Sequence, residues 1–198
     1  MTEVKNWMLA THNAGKIKEI RLLLAPLGVK IRSAAEMSLP EPEETEATFT
    51  GNAALKARAA CAATGLTALA DDSGLAVTAL DGAPGIYSAR WAGEPRDFNK
   101  AMARVHRELE DRAATDFSAT FICVLALAHP DGSIEYHEGR IEGQIVWPPR
   151  GAGGFGYDPI FVPKGENRTF AQMSMEEKKT MSHRGRALQS LLAAESSK

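Results

Sequence analysis

The chain has 198 residues, a formal net charge of −2 at pH 7 and two cysteines. This length suffices for one ordinary domain, or for two small lobes around a cleft. The nearly balanced charge excludes the broad positive field of a general nucleic-acid binder, so any recognition of anions must rely on local groups of Lys and Arg.

The first half of the chain alternates between strands and helices. Apolar runs and apolar stripes at helical spacing predict, in order, a strand over 7–11, a helix over 15–27, a strand over 29–31, a helix over 48–64, and strands over 67–70 and 75–79. Two segments rich in loop residues, 33–46 and 81–93, are predicted to connect these elements.

The second half adds longer strands. We expect an amphipathic helix around 98–109, strands over 117–128 and 134–146 joined by a hairpin turn, a loop over 147–158, and a strand over 159–162. A capping box from Ser174 to Glu177 predicts the start of a helix, and a last helix is expected over 185–194. The pattern predicts an α/β fold with a mixed central sheet and flanking helices, as one domain over residues 1–198.

No segment indicates export or a membrane span. Met1 to Asn6 lacks the apolar region of a signal peptide, and the longest apolar run, 121–128, is too short to cross a bilayer. Cys61 and Cys123 lie in apolar stretches, which favours packed free thiols in a reducing compartment. We therefore expect a cytoplasmic protein that binds neither nucleic acid nor a membrane.

Two adjacent carboxylates, Asp71 and Asp72, stand between the apolar runs 67–70 and 75–79. Adjacent strand residues point to opposite faces, so the two should have different roles. One interpretation is a turn in which Asp caps backbone amides. The other is a site for a divalent cation, because Mg²⁺ takes one or two carboxylates together with substrate phosphates.

A second motif, Thr11 to Lys16, leaves the first strand and opens the first helix. Free amides and the helix dipole attract phosphate there, and Lys16 adds a positive charge. The sequence is not a P-loop, because it has no leading Gly and Ile17 replaces the metal-binding Ser or Thr. An ordinary capped helix start is the alternative interpretation.

The run Gly151 to Gly156 has the spacing of a dinucleotide fingerprint, but it leads into a strand rather than a helix, so we reject that interpretation. Phe155 and Tyr157 could stack on a nucleobase or, alternatively, belong to the core beside a turn. The densest basic cluster comprises Lys178, His183, Arg184 and Arg186 together with Ser182. The alternative interpretation of such a cluster is a charged face exposed to solvent.

Taken together, these stretches resemble the inosine/xanthosine triphosphate pyrophosphatase family nearly from end to end. The resemblance rests on six ordered motifs: Thr11-x-Asn13-x-Gly15-Lys16, Glu43-Glu44-Thr45 with Thr48-Phe49, Asn52-Ala53-x-x-Lys56-Ala57, Asp71 to Leu75 with Gly82 to Arg90, Gly153 to Pro159, and Ser182 to Gly185.

The resemblance implies Mg²⁺-dependent hydrolysis of a non-canonical purine nucleoside triphosphate (ITP, dITP or XTP) to the monophosphate and pyrophosphate, in a homodimer whose two lobes enclose a nucleotide-binding cleft. It assigns Asp72 as proton acceptor and metal ligand, and Glu43 as the second metal carboxylate, with Glu44 as the fallback. Phosphate would be held by Ser73 and by Thr11, His12, Asn13, Ala14, Gly15 and Lys16, although His12 occupies a variable position and receives no role of its own.

The same resemblance assigns the nucleoside to a second set of residues, Phe155, Gly156, Tyr157, Asp158, Lys178, His183 and Arg184. Lys178 and Arg184 are donors without acceptor capacity, so we expect them to favour a purine with an oxygen at C6 over adenine. Lys16 and Lys56 are expected to neutralise polyphosphate. The sequence leaves open which phosphorus is attacked and how many Mg²⁺ ions take part.

Two other functions are alternatives to the one that the resemblance implies. A pyrophosphatase of the septum-inhibitor type, which acts on modified pyrimidines, is disfavoured by Ser182-His183-Arg184. A nucleotide-binding regulator without turnover is disfavoured because Glu43, Asp72 and Lys16 are all present, and a binder needs no group that activates water.

Overall fold

The computed structural model describes residues 5–197. Within this range the chain forms six strands and five α-helices. The strands are β1 Asn6–Leu9, β2 Lys30–Ser33, β3 Thr67–Val77, β4 Ser118–Ala128, β5 Ile134–Ile145 and β6 Phe161–Pro163. The helices are α1 Ala14–Leu24, α2 Phe49–Thr64, α3 Phe98–Asp111, α4 Met175–Met181 and α5 His183–Ser196.

The strands form one mixed sheet in the order β2-β1-β3-β4-β5-β6. β1 is parallel to both β2 and β3, whereas β5 and β6 are antiparallel, as the predicted mixture requires. Leu9 pairs with Leu69, and the amide of Ala10 donates to the Leu69 carbonyl at 2.8 Å. This register brings the turn after β1 beside the two aspartates of β3.

The sequence prediction was wrong about β3. Asp71 and Asp72 do not interrupt two short strands but lie within one continuous strand of eleven residues. A turn that uses Asp to cap backbone amides is therefore excluded at this position. The strand continues because each buried carboxylate meets cations on its own face of the sheet, as described below.

The chain divides into two compact units, and β3, β4 and β5 each contribute to both. The first unit comprises the described residues up to Asp72, Cys123–Gly139 and the residues from Arg184 onward. On one face of its strands, Trp7, Leu9 and Leu69 pack with α1 and α5. On the other face, Met8 and Ala70 pack with the alanine-rich side of α2.

The second unit comprises Ser73–Ile122 and Arg140–His183. Its core joins the end of β3 to the apolar stripe of α3 and to an aromatic cluster of Phe121, Phe161 and Phe170. The predicted capping box is confirmed: the Ser174 amide donates to Glu177 at 2.7 Å, and the Glu177 amide donates to the Ser174 hydroxyl at 3.2 Å.

Several smaller expectations can also be compared with the structure. The segment predicted as loop over 81–93 contains two short 3₁₀ turns, Gly85–Tyr87 and Arg90–Ala92. Cys61 and Cys123 are free and buried, as predicted. No helix among residues 5–197 is long and apolar enough to cross a membrane. The prediction that the N-terminus is not a signal peptide rests mostly on residues 1–4, which lie outside the described range, and the nucleotide-binding cleft between two lobes stays a prediction.

Candidate active site

The turn before α1 has the geometry of an anion-binding helix start. Asn13 caps the helix, and its side-chain oxygen accepts from the Lys16 amide at 3.1 Å. The Asn13 amide in turn donates to the Thr11 hydroxyl at 3.2 Å. Because Ala14 and Gly15 are the first two residues of an eleven-residue helix, their amides have no partner within it. Such amides, with the helix dipole, favour a bound phosphate.

Asp71 lies on the face of the sheet that packs against α1 and α5. Its carboxylate is ion-paired with Lys16 and accepts from Arg184 Nε at 2.8 Å. The Cys123 thiol donates to the same carboxylate at 3.1 Å. Arg184 also donates from Nη1 to Glu19 at 2.5 Å. Burial alone would raise the pKa of Asp71, but Arg184 and Lys16 outweigh burial and hold that pKa well below its ordinary value.

Asp72 lies on the opposite face, where α2 packs. Lys56 Nζ donates to Asp72 Oδ1 at 3.1 Å and to Glu44 Oε1 at 2.6 Å. Asp72 Oδ2 is buried and has no hydrogen-bond partner among the described residues. Burial raises the pKa of Asp72, because burial and the charge of Glu44 together outweigh the attraction of Lys56 and Lys16. The two neighbouring carboxylates thus lie on opposite faces with different partners, as their alternation along the strand predicts, and their pKa values are shifted in opposite directions.

The carboxylate that reaches the Asp72 cluster is Glu44. Glu43 is exposed, whereas Glu44 is half-buried and is the residue paired with Lys56. The geometry therefore favours Glu44 over Glu43 as the second carboxylate beside Asp72. No group of three or more His, Cys, Asp or Glu side chains in residues 5–197 is arranged to hold a metal by itself. A cation at Asp72 would therefore need ligands from water or from a bound phosphate.

In the second unit, three of the predicted nucleoside residues meet. Lys178 Nζ donates to Asp158 Oδ2 at 2.6 Å and lies 4.7 Å from the centre of the Phe155 ring. The Phe155 amide donates to the same Asp158 oxygen at 2.9 Å. Gly154 must be glycine here, because its φ is +69° and a Cβ would lie 2.2 Å from Asp158 Oδ2. The glycine-rich run therefore wraps a buried Asp–Lys pair and does not open a helix.

Tyr157 is a core residue. Its ring is 2% exposed and packs edge-on against Phe98 at 5.5 Å, and its hydroxyl donates to the Ser88 carbonyl at 2.8 Å. Burial raises the pKa of this phenol well above its ordinary value. The structure therefore favours the second interpretation of Tyr157, a core aromatic beside a turn, over stacking on a base. Phe155 is only half-buried and remains the candidate for stacking.

The remaining predicted site residues are buried or half-buried. His183 is buried and stacks on Phe121, with ring centres 4.7 Å apart and planes 9° apart. Ser73 follows Asp72 within β3 and is half-buried, and Gly156 has a positive φ of 68°. Arg184 is 2% exposed and engaged by Asp71 and Glu19. The charge of Arg184 is thus balanced inside the protein by these two carboxylates, and its assignment to the nucleoside stays a prediction.

From the sequence, Lys56 was expected only to neutralise polyphosphate, and the role of Glu19 as a partner of Arg184 was not predicted. A signal for Lys56 exists: it lies four residues after Asn52 on the side of α2 that is otherwise alanine and buried. A lysine in such a stripe is rarely buried without a carboxylate partner. Glu19 carries no comparable signal, since it looks like an ordinary polar residue of an amphipathic helix.

Comparison with known proteins covers nearly the whole chain. A family model described as the Ham1 family matches residues 7–194. A protein named dITP/XTP pyrophosphatase from Gluconobacter oxydans (strain 621H) is 59% identical over 185 residues, covering 93% of this chain and 88% of that protein. One of the same name from Rhodospirillum centenum is 59% identical over 189 residues, covering 94% and 92%.

Solved structures agree with the fold. A HAM1 protein from Coxiella burnetii superposes with a TM-score of 0.90 at 41% identity, covering 98% of this chain and 100% of that one. The Ham1 protein of Staphylococcus aureus gives a TM-score of 0.86 at 38% identity, with the same coverage. The mixed six-stranded sheet with five helices is therefore the architecture of these proteins.

Proposed function

The chain belongs to the Ham1 family, and from this membership we propose that it hydrolyses non-canonical purine nucleoside triphosphates (ITP, dITP and XTP) to the monophosphate and pyrophosphate with Mg²⁺. The family resemblance drawn from the motifs is thereby confirmed. Relatives 51–59% identical are named dITP/XTP pyrophosphatase, so the chain is a hydrolase that acts on nucleoside triphosphate anhydrides. The metal and the range of substrates are what the proposal adds.

The observation that carries the proposal is the buried, unpartnered Oδ2 of Asp72. Native proteins rarely leave a buried carboxylate oxygen without a hydrogen bond, and exceptions mark functional sites or places for an ion or water. The raised pKa of Asp72 suits a group that must accept a proton from water. A residue with only a structural role would be expected to use both oxygens, as Asp71 does.

The side chains around Asp72 suit Mg²⁺. Lys56 supplies one positive charge against the two carboxylates of Glu44 and Asp72, so the cluster has a net formal charge of −1 with all three ionised. Mg²⁺ is commonly held by one or two carboxylates together with substrate phosphates. When bound, it would neutralise phosphate charge and lower the pKa of water.

The chain's own residues then have two roles, to bind phosphate and to activate water. Lys16 and the amides of Ala14 and Gly15 bind phosphate oxygens at the start of α1, and Lys56 adds a second ammonium. Asp72 orients a water and accepts its proton as the water oxygen bonds to phosphorus and the anhydride bond breaks. The electron pair of the broken bond leaves with pyrophosphate if water attacks the α-phosphorus, and with the monophosphate if water attacks the β-phosphorus. Phosphoryl transfer needs mainly positioning and charge neutralisation, which this arrangement supplies.

Base recognition is assigned to the second unit. Lys178 has three N–H donors and no acceptor, and it donates to Asp158 at 2.6 Å. An ammonium aimed at the purine C6 donates to the oxygen that hypoxanthine and xanthine present there. It would meet the amino group of adenine donor to donor, which disfavours adenine. We propose that the half-buried Phe155 stacks on the ring and that Arg184 fixes Asp71 through its ion pair.

We carry over a homodimer and a cytoplasmic location from the family resemblance. The two free, buried thiols are compatible with a reducing compartment. Size-exclusion chromatography with light scattering would test the dimer, and a monomer at micromolar concentration would contradict it.

The proposal is tested by product analysis. The purified protein is incubated with Mg²⁺ and ITP, dITP, XTP, ATP or a modified pyrimidine triphosphate, and pyrophosphate and orthophosphate are measured separately. We expect pyrophosphate from the first three substrates and much less from ATP. Orthophosphate as the product would contradict the proposal. Preference for the pyrimidine would favour the septum-inhibitor type, and binding without product would favour the regulator.

A further inference from the structure

His12 lies in the turn Thr11–Lys16, yet the proposed mechanism gives it no task. Its Nε2 is 2.8 Å from the carbonyl oxygen of Leu39. A carbonyl can only accept, so Nε2 carries the proton and donates. The other ring nitrogen, Nδ1, is buried with no hydrogen-bond partner in residues 5–197. Within that range, the bond to Leu39 is therefore the polar contact that orients the ring.

The segment that His12 holds is stiff. It runs Leu39-Pro40-Glu41-Pro42-Glu43-Glu44, so two prolines lie between the held carbonyl and the carboxylate of Glu44. Each proline fixes its own φ, and each restricts the residue before it to extended conformations. A shift of the Leu39 carbonyl is therefore passed along the segment to Glu44, with few rotations available to absorb it.

The start of this segment is packed and bonded: Leu39 lies against the apolar cluster that includes Met8 and Ala57, and its amide donates to the Ala34 carbonyl at 3.0 Å. A cavity of about 110 Å³ lies beneath it, and its walls include Leu39, His12, Lys56 and Ala60. Directional contacts add to this packing along the segment. They include the His12–Leu39 bond near its start, the Lys56–Glu44 pair, and the bond from the Glu46 amide to Asn52 at 3.0 Å.

We propose that His12 is a positioning residue that ties the segment 39–44 (the acidic segment) to the phosphate-binding turn. The tie holds Glu44 at a fixed place relative to the amides that receive phosphate, so that carboxylate and phosphate oxygens reach the same cation. The inference rests on the proposed function, because it concerns the cation that Glu44 and Asp72 would hold. In this proposal His12 acts through the Leu39 carbonyl rather than by direct contact with substrate or metal.

The test measures cation binding rather than turnover. Mn²⁺ replaces Mg²⁺, and the free Mn²⁺ is followed by electron paramagnetic resonance in the presence of a non-hydrolysable imido analogue of ITP. His12→Phe fills the ring's space without a donor, whereas His12→Gln places an amide N–H at a similar reach. We expect His12→Phe to weaken Mn²⁺ binding about 2- to 10-fold, the usual effect of losing one hydrogen bond, and His12→Gln to remain within about 2-fold of wild type.

Controls separate this role from general stability. His129 lies in the same unit, with Nε2 2.9 Å from Glu135 and Nδ1 3.3 Å from the Thr67 hydroxyl. His129→Phe therefore removes the hydrogen bonds of a histidine far along the chain from the acidic segment, and it should leave Mn²⁺ binding unchanged. If His12→Phe does not fold, His12→Asn serves instead, because its amide is too short to reach Leu39. The melting temperature of each variant is recorded alongside.

Three results would overturn the inference: unchanged Mn²⁺ binding in both His12→Phe and His12→Gln, unchanged binding in His12→Phe with a loss in His12→Gln, or an equal loss in His129→Phe. The first would show that the tie is unnecessary, and the second that the ring only fills space. If wild type binds neither Mn²⁺ nor the analogue, the proposed function itself fails. If wild type binds both and His12→Phe binds them equally well, only the inference about His12 fails.

Discussion

Asp71→Asn is expected to destabilise the protein strongly. The Asp71 side chain is fully buried and joins Lys16, Arg184 and the Cys123 thiol. An uncharged amide would leave Lys16 without this partner and Arg184 with Glu19 as its remaining carboxylate in the network. Removing one partner of a buried ion pair costs about 3–5 kcal/mol. For a chain of this length, about 2–4 °C per kcal/mol translates this into a melting temperature lower by about 6–20 °C.

Asp72→Asn is the matched comparison, since it makes the same chemical change at the next residue. Burial raises the pKa of Asp72, so its charge contributes nothing favourable to folding at neutral pH. Lys56 would keep its pair with Glu44. We therefore expect a stability change of about 1 kcal/mol or less for Asp72→Asn.

The assay is urea and thermal unfolding followed by circular dichroism, with EDTA present so that no cation contributes. The pKa of Asp71 is lower in the folded state than in the unfolded state, so its stabilisation is complete above the ordinary pKa of aspartate. As the pH falls through the folded-state pKa, the advantage of wild type over Asp71→Asn should shrink. An Asp71→Asn variant within about 1 kcal/mol of wild type at pH 7, or one more stable than Asp72→Asn, would refute the reasoning.

Further substitutions test the separate parts of the site. Glu44→Gln should raise the Mg²⁺ concentration needed for half-maximal rate, and Glu43→Gln should not; the reverse order in a Mg²⁺ titration would return the metal role to Glu43. Lys16→Ala should weaken the binding of ITP, XTP and dATP by similar factors, as judged by steady-state kinetics. A changed base preference would contradict the assignment of the turn 11–16 to the phosphates. Lys178→Ala should narrow the ratio of kcat/KM for ITP over ATP, because a mismatched donor pair costs about 1–3 kcal/mol; an equal loss for both would mean that Lys178 does not read the base.

Local rules predicted much of the fold. Alternation along a strand correctly placed Asp71 and Asp72 on opposite faces, and hydrogen bonds of the expected kind form the capping box at Ser174. The break within β3 was wrong because local rules assign Asp, Ser and Gly to turns. Only tertiary contacts, with Arg184 distant in sequence, show that the charge of Asp71 is met inside the sheet.

The site was predicted less completely, for the same reason. Sequence motifs indicated which residues matter but not which of them pair with one another. Arg184 and Tyr157 lie in motifs with site residues, yet one balances Asp71 and the other is bonded to Ser88 in the core. The choice between Glu43 and Glu44 likewise depends on which side chain reaches Lys56, which no spacing along the chain reveals.

The central claim is that Asp72 accepts the proton of the attacking water. Its most direct test is to measure nucleotide binding and pyrophosphate release in the same preparation of Asp72→Asn at saturating Mg²⁺. We predict that the variant folds, still binds the imido analogue of ITP, and releases pyrophosphate from ITP about 10²–10⁴-fold more slowly than wild type, the usual effect of losing a general base. Pyrophosphate release at the wild-type rate would contradict the account.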